Sequence, residues 1–186
     1  IYLTFSALDS GRLSLGDGLP VSINALNAPP TKMGLPPGGT VSVRDATMAL
    51  VTRSANDAAV VLAEALGGDE ASFAAMMTSK ARQLGMSQTV FRNASGLPNR
   101  EQVTTARDMA RLGLLLLNEG FWNGKQLLSQ EWVYRMTHPA FEDANTGYGY
   151  LTWLNASSGS HSGIGALPGG ISLPGGLGLS RGPVTG

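Results

Sequence analysis

The chain has 186 residues with 13 basic and 13 acidic side chains, so its formal net charge is zero. It has no strongly basic block, which excludes a nucleic-acid groove, and no cysteine, which excludes a disulfide framework, a cysteine-ligated zinc site and a thiol nucleophile. Apolar residues make up 42 % of the chain, enough for the core of one domain, but no run of about 18 of them predicts a membrane-spanning helix.

Helices dominate the predicted elements. Apolar periodicity, N-cap residues and terminal glycines predict helices, in chain order, over residues 1–8, 42–52, 56–66, 69–85, 105–118 and 129–136. Ser42 with Asp45, and Thr105 with Asp108, form capping boxes in which Asp takes the usual place of Glu. The glycine pair at 67–68 is typical of a helix C-terminus.

Strands are predicted at few places. Residues 11–37 carry repeated Gly and Pro turn signals and favour loop with short strands. Segment 88–91 is compatible with a short strand. Segment 148–154 is rich in aromatic residues with partial alternation, and it is the strongest strand pattern in the chain.

The end of the chain has a different composition. Residues 156–186 contain ten glycines and three prolines, and Leu-Pro-Gly-Gly occurs there twice. So few side chains of any size cannot build a core, and each ordered glycine costs extra backbone entropy. We therefore expect a domain over residues 1–163 and a loop or poorly ordered tail over residues 164–186.

Several reaction types have no support in the sequence. Only two histidines, His138 and His161, are present, and no His-Glu-x-x-His pattern occurs, so we expect no metal site. The chain has no Gly-rich phosphate loop ending in Lys-Ser or Lys-Thr. It also has no Gly-x-Ser-x-Gly turn of the α/β-hydrolase type.

Segment 53–59, Arg-Ser-Ala-Asn-Asp-Ala-Ala, falls in the break between two predicted helices. Ser54 and Asn56 stand two apart on this turn and can point the same way. The hydroxyl could then relay a proton while the carboxamide binds a substrate amide. Ser, Asn and Asp are also the preferred N-cap residues of helices. The local pattern therefore leaves two interpretations, a helix cap and a catalytic pair.

A set of segments resembles the serine D-alanyl-D-alanine carboxypeptidases, the low-molecular-mass penicillin-binding proteins of the serine β-lactamase and DD-peptidase superfamily. The resembling segments are residues 11–15, 29–35 with Gly38, 42–45, 53–59, 91–98 and 104–110. Each segment is short, but their order and spacing from residue 1 to about 117 make the resemblance specific.

The resemblance implies acyl transfer with three motifs, Ser-x-x-Lys, Ser-x-Asn and Lys-Thr-Gly. Ser54-Ala55-Asn56 resembles the second motif, so Ser54 would shuttle a proton between nucleophile and leaving group, and Asn56 would hold the substrate's backbone amide. No Ser-x-x-Lys occurs in the chain. In the family that motif precedes a segment like residues 1–5, so we expect the sequence to begin a few residues after it. Without an activated nucleophile the chain alone is predicted to be inactive.

The third motif has two candidates. His161-Ser162-Gly163 is favoured because a histidine can bind a substrate carboxylate, and related serine hydrolases place a similar triplet there. The segment 145–147, Asn145-Thr146-Gly147, keeps Thr-Gly but replaces the cation with Asn. Both segments also consist of common turn residues.

After about Leu117 the sequence looks closer to the class C β-lactamase and esterase branch of the same superfamily, on segments 118–133 and 146–153. The resemblance implies an α+β fold, here a helical lobe with an incomplete antiparallel sheet. It also implies peptidoglycan stem peptides or β-lactams as partners, no cofactor, and a periplasmic or other extracytoplasmic location. A class C-type β-lactamase or esterase, and a non-catalytic peptidoglycan-binding or scaffold relative, are the alternatives. Membrane association stays open.

Overall fold

The computed structural model describes residues 1–138. Within them the helices are α1 Tyr2–Asp9, α2 Ile23–Asn27, α3 Val43–Arg53, α4 Asn56–Gly67, α5 Glu70–Gln83, α6 Ala106–Leu117 and α7 Gln130–Thr137. The strands are β1 Gly18–Pro20, β2 Thr40–Ser42, β3 Phe121–Trp122 and β4 Lys125–Gln126. They form two antiparallel pairs, β1 with β2 and β3 with β4. The helix-dominated α+β class is confirmed.

Side-chain caps fix where α3 and α6 begin. The Ser42 hydroxyl oxygen accepts from the Asp45 N–H at 3.0 Å and its proton goes to the Asp45 carboxylate at 2.7 Å. The Thr105 hydroxyl accepts from the Asp108 N–H at 3.2 Å. Both predicted capping residues therefore satisfy an N–H group that would otherwise lack a partner inside the helix.

Helix α4 is the buried centre of the unit formed by residues 1–135. Its residues from Asn56 to Ala63 are all buried, and it packs against α2, α3 and α5. A helix that is apolar on every side is stable only when other elements enclose it. Each fully buried Val or Leu there contributes roughly 1.5–3 kcal/mol. Asn56 thus lies in the first turn of α4, which its neighbours hold in place.

The β1–β2 pair fixes both ends of segment 21–39, which packs against α4. Leu19 lies opposite Val41 in the antiparallel register, and both side chains are buried. Between the two strands the chain forms α2, with the Ser22 hydroxyl as its N-cap. It then forms the segment 29–34, called the 29–34 loop below. The sequence did not predict α2, because five residues are too few to show a helical period.

The structure corrects the sequence prediction at two places, one predicted strand and one hairpin that was not predicted. The predicted strand at 88–91 is wrong, since only a single bridge joins Val90 to Val103. Side chains take the neighbouring backbone donors instead, with the Gln88 N–H bound to Asp108 and the Phe91 N–H to Thr78. Conversely, the β3–β4 hairpin was not predicted. Its two-residue turn, at 123–124, has positive φ at both positions, 46° and 80°, as an Asn-Gly type I′ turn requires.

Other sequence predictions lie outside the described residues. These are the strand at 148–154, the domain boundary at 163 and the tail at 164–186. Among residues 1–138, no helix combines the length and the apolar character needed to cross a membrane.

Candidate active site

The corner between α3 and α4 holds both predicted catalytic side chains. Helix α3 ends at Arg53, and Ser54 adopts the left-handed conformation with φ 52° and ψ 41°. The backbone N–H groups of Ser54 and Ala55 both donate a hydrogen bond to the Ala49 carbonyl. A left-handed serine costs free energy that a glycine would avoid, and such residues are concentrated at functional sites.

Ser54 is the C-cap residue of α3 and does not act as an N-cap. The N-cap of α4 is Ala55, which is buried and offers no side-chain acceptor. The Ser54 side chain is exposed, and its hydroxyl makes no hydrogen bond with any of residues 1–138. The N-cap interpretation of Ser54 is therefore wrong, and none of residues 1–138 occupies its hydroxyl.

Asn56 is buried and its carboxamide is held at one end. Its Nδ2 donates to the carbonyls of Pro29 at 3.0 Å and Pro30 at 3.1 Å, and its backbone N–H donates to the Thr31 carbonyl at 2.8 Å. Both hydrogen bonds that the Asn56 side chain makes with residues 1–138 come from Nδ2, and none involves Oδ1. The donors of Asn56 are thus used by the fold, and the oxygen is left to accept an N–H group.

Two further residues of this corner were not predicted from the sequence. The Asp57 carboxylate is buried and accepts the N–H groups of Met33 and Gly34, both at 3.0 Å. The Thr31 hydroxyl lies 2.8 Å from the Arg53 carbonyl oxygen and 2.9 Å from that of Ser54. An Asp at the start of a helix looks like an ordinary cap in sequence. Its loop partners, 23 and 24 positions earlier, have no local signal.

The corner has a polar, partly cationic environment. Asp57 is in the first turn of α4, where the helix dipole and the backbone amides favour a carboxylate. The exposed Arg53 ends α3 beside Ser54. The nearby Lys32 ammonium donates to the Leu26 carbonyl at 2.7 Å.

The remaining predicted site residues lie outside the described residues. They are His161, Ser162 and Gly163, and the alternative Asn145, Thr146 and Gly147. The structure therefore brings together Ser54 and Asn56 only. Within residues 1–138 no group of three or more His, Asp or Glu side chains could hold a metal ion.

The D-alanyl-D-alanine carboxypeptidase family, peptidase family S11, matches the chain over residues 1–154. The chain belongs to this family. The matched range includes both Ser54 and Asn56 and extends past Leu117. It therefore includes both segments, 118–133 and 146–153, that look closer to the class C branch.

Curated relatives agree with this family. The chain is 33 % identical over 117 residues to D-alanyl-D-alanine carboxypeptidase DacF of Bacillus subtilis, covering 63 % of this chain and 30 % of that protein. It is 35 % identical over 124 residues to DacC of Escherichia coli, covering 63 % and 31 %. The chain thus spans about a third of the length of these relatives.

Solved structures show the same fold. The D-alanyl-D-alanine carboxypeptidase DacD of Francisella tularensis is 35 % identical with a TM-score of 0.61, over 72 % of this chain and 30 % of that one. Penicillin-binding protein D2 of Listeria monocytogenes, solved in its cefotaxime-bound form, is 33 % identical with a TM-score of 0.52, over 64 % and 49 %. The chain therefore shares its fold with part of each of these proteins.

Proposed function

We propose that this chain is part of a serine acyl-transfer hydrolase that acts on D-Ala-D-Ala peptides of peptidoglycan and is acylated by penicillins. The observation that carries the proposal is the corner at Ser54. The exposed Ser54 hydroxyl and, two residues later, the Asn56 carboxamide oxygen both lack a hydrogen-bond partner among residues 1–138. Membership in the carboxypeptidase family supports the same reaction.

Ser54 passes a proton in this mechanism. A nucleophilic serine attacks the carbonyl carbon of the substrate amide, forming the ester bond of an acyl-enzyme and breaking the carbon–nitrogen bond. The lysine of the Ser-x-x-Lys motif takes the proton that the attacking serine loses. The Ser54 hydroxyl, which is both donor and acceptor, accepts a proton from that lysine while it donates its own to the leaving nitrogen. Water then attacks the ester and releases the shortened peptide.

Asn56 binds the substrate backbone. Because its Nδ2 is occupied by the Pro29 and Pro30 carbonyls, the Oδ1 faces an incoming peptide as an acceptor. A peptide N–H group is the matching donor. Asn56 therefore aligns the acyl part of the substrate while the reaction proceeds beside Ser54.

The proposal needs two components beyond this corner. The 186 residues contain no Ser-x-x-Lys, and the proposed mechanism needs a nucleophilic serine and a lysine that takes its proton. We propose His161, Ser162 and Gly163 as the segment that binds the substrate carboxylate, with Asn145, Thr146 and Gly147 as the alternative.

The proposed partners follow from the substrate. The full-length protein would meet peptidoglycan stem peptides and β-lactams on the outer side of the cytoplasmic membrane, so we propose an extracytoplasmic location. The mechanism requires no metal or organic cofactor.

A reporter penicillin tests the function on the full-length protein. We expect its intact mass to rise by one penicillin, with the modified peptide mapping outside residues 1–186. Ser54→Ala should slow acylation by a factor of roughly 10²–10⁴, as expected for loss of a proton relay. The matched control, Ser87→Ala at an exposed serine, should acylate at the wild-type rate.

Three outcomes contradict parts of the proposal. A full-length protein that takes up no penicillin and releases no D-Ala would be a binding or scaffold relative. An adduct on Ser54 itself would make Ser54 the nucleophile. Hydrolysis of esters or cephalosporins without release of D-Ala would instead favour the class C-type activity suggested by segments 118–133 and 146–153.

A further inference from the structure

Thr31 reaches across to the corner from a different part of the chain. It lies in the exposed 29–34 loop, and its single hydroxyl proton is shared between two carbonyl oxygens, of Arg53 at 2.8 Å and of Ser54 at 2.9 Å. Carbonyls in the last turn of a helix have no partner inside the helix. The Thr31 side chain therefore binds the end of α3 at the residue that carries the proton-relaying hydroxyl.

The backbone at Ser54 needs such support. Residues that carry a Cβ rarely adopt a φ of 52°, the value at Ser54. They keep this conformation only when their surroundings hold them there. The backbone N–H of Ser54 is bound to the Ala49 carbonyl. Its carbonyl is bound to Thr31, so both sides of the residue are restrained.

The 29–34 loop is itself anchored, which gives Thr31 a fixed position. On one side of Thr31 the Pro29 and Pro30 carbonyls accept from Asn56 Nδ2. On the other side Met33 and Gly34 donate to the buried Asp57 carboxylate. Seven hydrogen bonds in all join the loop to residues 53–57.

We propose that Thr31 is a positioning residue, whose hydroxyl holds Ser54 in the left-handed conformation and so aims the Ser54 hydroxyl for proton transfer. This inference rests on the proposed acyl-transfer function. It assigns to the 29–34 loop a role in the chemical step, through the Ser54 backbone, and no contact with the substrate.

The test compares two substitutions of Thr31 with a matched control. Thr31→Val keeps the shape but removes the hydroxyl, whereas Thr31→Ser keeps the hydroxyl. Thr52, two residues before Ser54, is the matched control. Thr52→Val removes an exposed hydroxyl that, among residues 1–138, donates to the Met48 carbonyl and to no other group. All four proteins, including wild type, should have closely similar melting temperatures, because both threonines are exposed.

The first measurement needs no activity. Amide hydrogen exchange at Ala55 and Asn56, followed by NMR, should be roughly fivefold to tenfold faster in Thr31→Val, the ratio expected for one net hydrogen bond. Thr31→Ser and Thr52→Val should exchange at the wild-type rate. Wild-type exchange in Thr31→Val would overturn the inference, whatever the activity of the enzyme.

The second measurement uses the full-length enzyme and a reporter penicillin. Thr31→Val should lower the acylation rate constant about tenfold while the dissociation constant of the initial complex stays within about twofold, because a positioning defect acts in the transition state. Thr31→Ser should restore the rate. An unchanged rate constant in Thr31→Val, with a wild-type enzyme that is acylated, would overturn the inference but leave the proposed function standing. A wild-type enzyme that is not acylated would remove the proposed function and this role together.

Discussion

The ring of Phe5 stacks on the ring of Trp132, with centroids 4.1 Å apart and planes 8° from parallel. Phe5 lies in α1 and Trp132 in α7, and both side chains are buried. A second contact joins the same regions, since the Ser129 N–H donates to the Asp9 carboxylate at 2.9 Å. Segment 118–133, although its sequence looks closer to the class C branch, therefore belongs to the same compact unit as α1.

This stack predicts a measurable coupling. A double-mutant cycle with Phe5→Leu and Trp132→Leu should give an interaction free energy of roughly 0.5–1.5 kcal/mol in urea denaturation, the range for aromatic pairs. The control cycle pairs Phe5→Leu with Phe73→Leu, because Phe73 belongs to the separate cluster with Leu3 and Ala63. Its two effects should add. Additivity of Phe5 and Trp132 within about 0.3 kcal/mol would contradict the stacked geometry.

Ser54 should lower the stability of the fold through its backbone conformation while its hydroxyl supports acylation. We expect Ser54→Gly to raise the free energy of unfolding by roughly 0.5–1 kcal/mol, because glycine adopts φ 52° without the steric cost of a Cβ. Ser54→Ala keeps that cost and should leave stability within about 0.5 kcal/mol of wild type. Both variants should be acylated by penicillin far more slowly than wild type. If urea denaturation finds Ser54→Gly no more stable than Ser54→Ala, the left-handed conformation carries no such cost.

Thr47 is a second site where substitution should stabilise the fold. Its side chain is buried, and its hydroxyl has no hydrogen-bond partner in the described structure. Thr47→Val replaces this hydroxyl with a methyl group of similar size, so we expect a gain of roughly 1–2 kcal/mol in the free energy of unfolding.

The control for Thr47 is Thr78→Val. The Thr78 hydroxyl lies 3.0 Å from the Ala74 carbonyl and accepts from the Phe91 N–H at 2.9 Å. Thr78→Val should therefore lower the free energy of unfolding, whereas Thr47→Val should raise it. Equal effects of the two variants in thermal or urea unfolding would contradict the difference in hydrogen bonding.

Asp108 should make stability depend on pH in the acid range. Its burial raises the pKa of the carboxyl, but hydrogen bonds from Gln88 and Thr89 and the positive charges of Arg111 and Arg82 outweigh burial and leave the pKa below the ordinary value of 3.8. A carboxylate with a lowered folded-state pKa stabilises the fold fully above its unfolded pKa. This stabilisation is lost as pH falls through the folded value.

The measurement is the free energy of unfolding from about pH 5 to pH 2, where carboxylates titrate. Asp108→Asn should be less stable than wild type at pH 5, and its stability should fall less steeply as the solution is acidified. Arg111→Met should flatten the wild-type curve in part, because it removes one of the cations that lower the Asp108 pKa. Parallel curves for wild type and Asp108→Asn would contradict the lowered pKa.

Much of the helical lobe could be predicted because its signals are local. The hydroxyls of Ser42 and Thr105 bind N–H groups three residues on, and a cap of this kind is visible in any sequence window. The position of Ser54 between two helices was predicted for the same reason. The strand at 88–91 was not found, because Asp108 and Thr78 take its backbone donors.

The sequence by itself determined the main helices, the helix-dominated class and the Ser54-Ala55-Asn56 motif, since apolar period, capping and motif spacing act over a few residues. Only the tertiary structure decided that Thr31 and Asp57 hold this motif in place. Their hydrogen bonds join residues 22 to 24 positions apart. The N–H groups that bind the Asp57 carboxylate and the carbonyls that accept from the Thr31 hydroxyl are brought to them by the packing around α4. No local pattern encodes these partners.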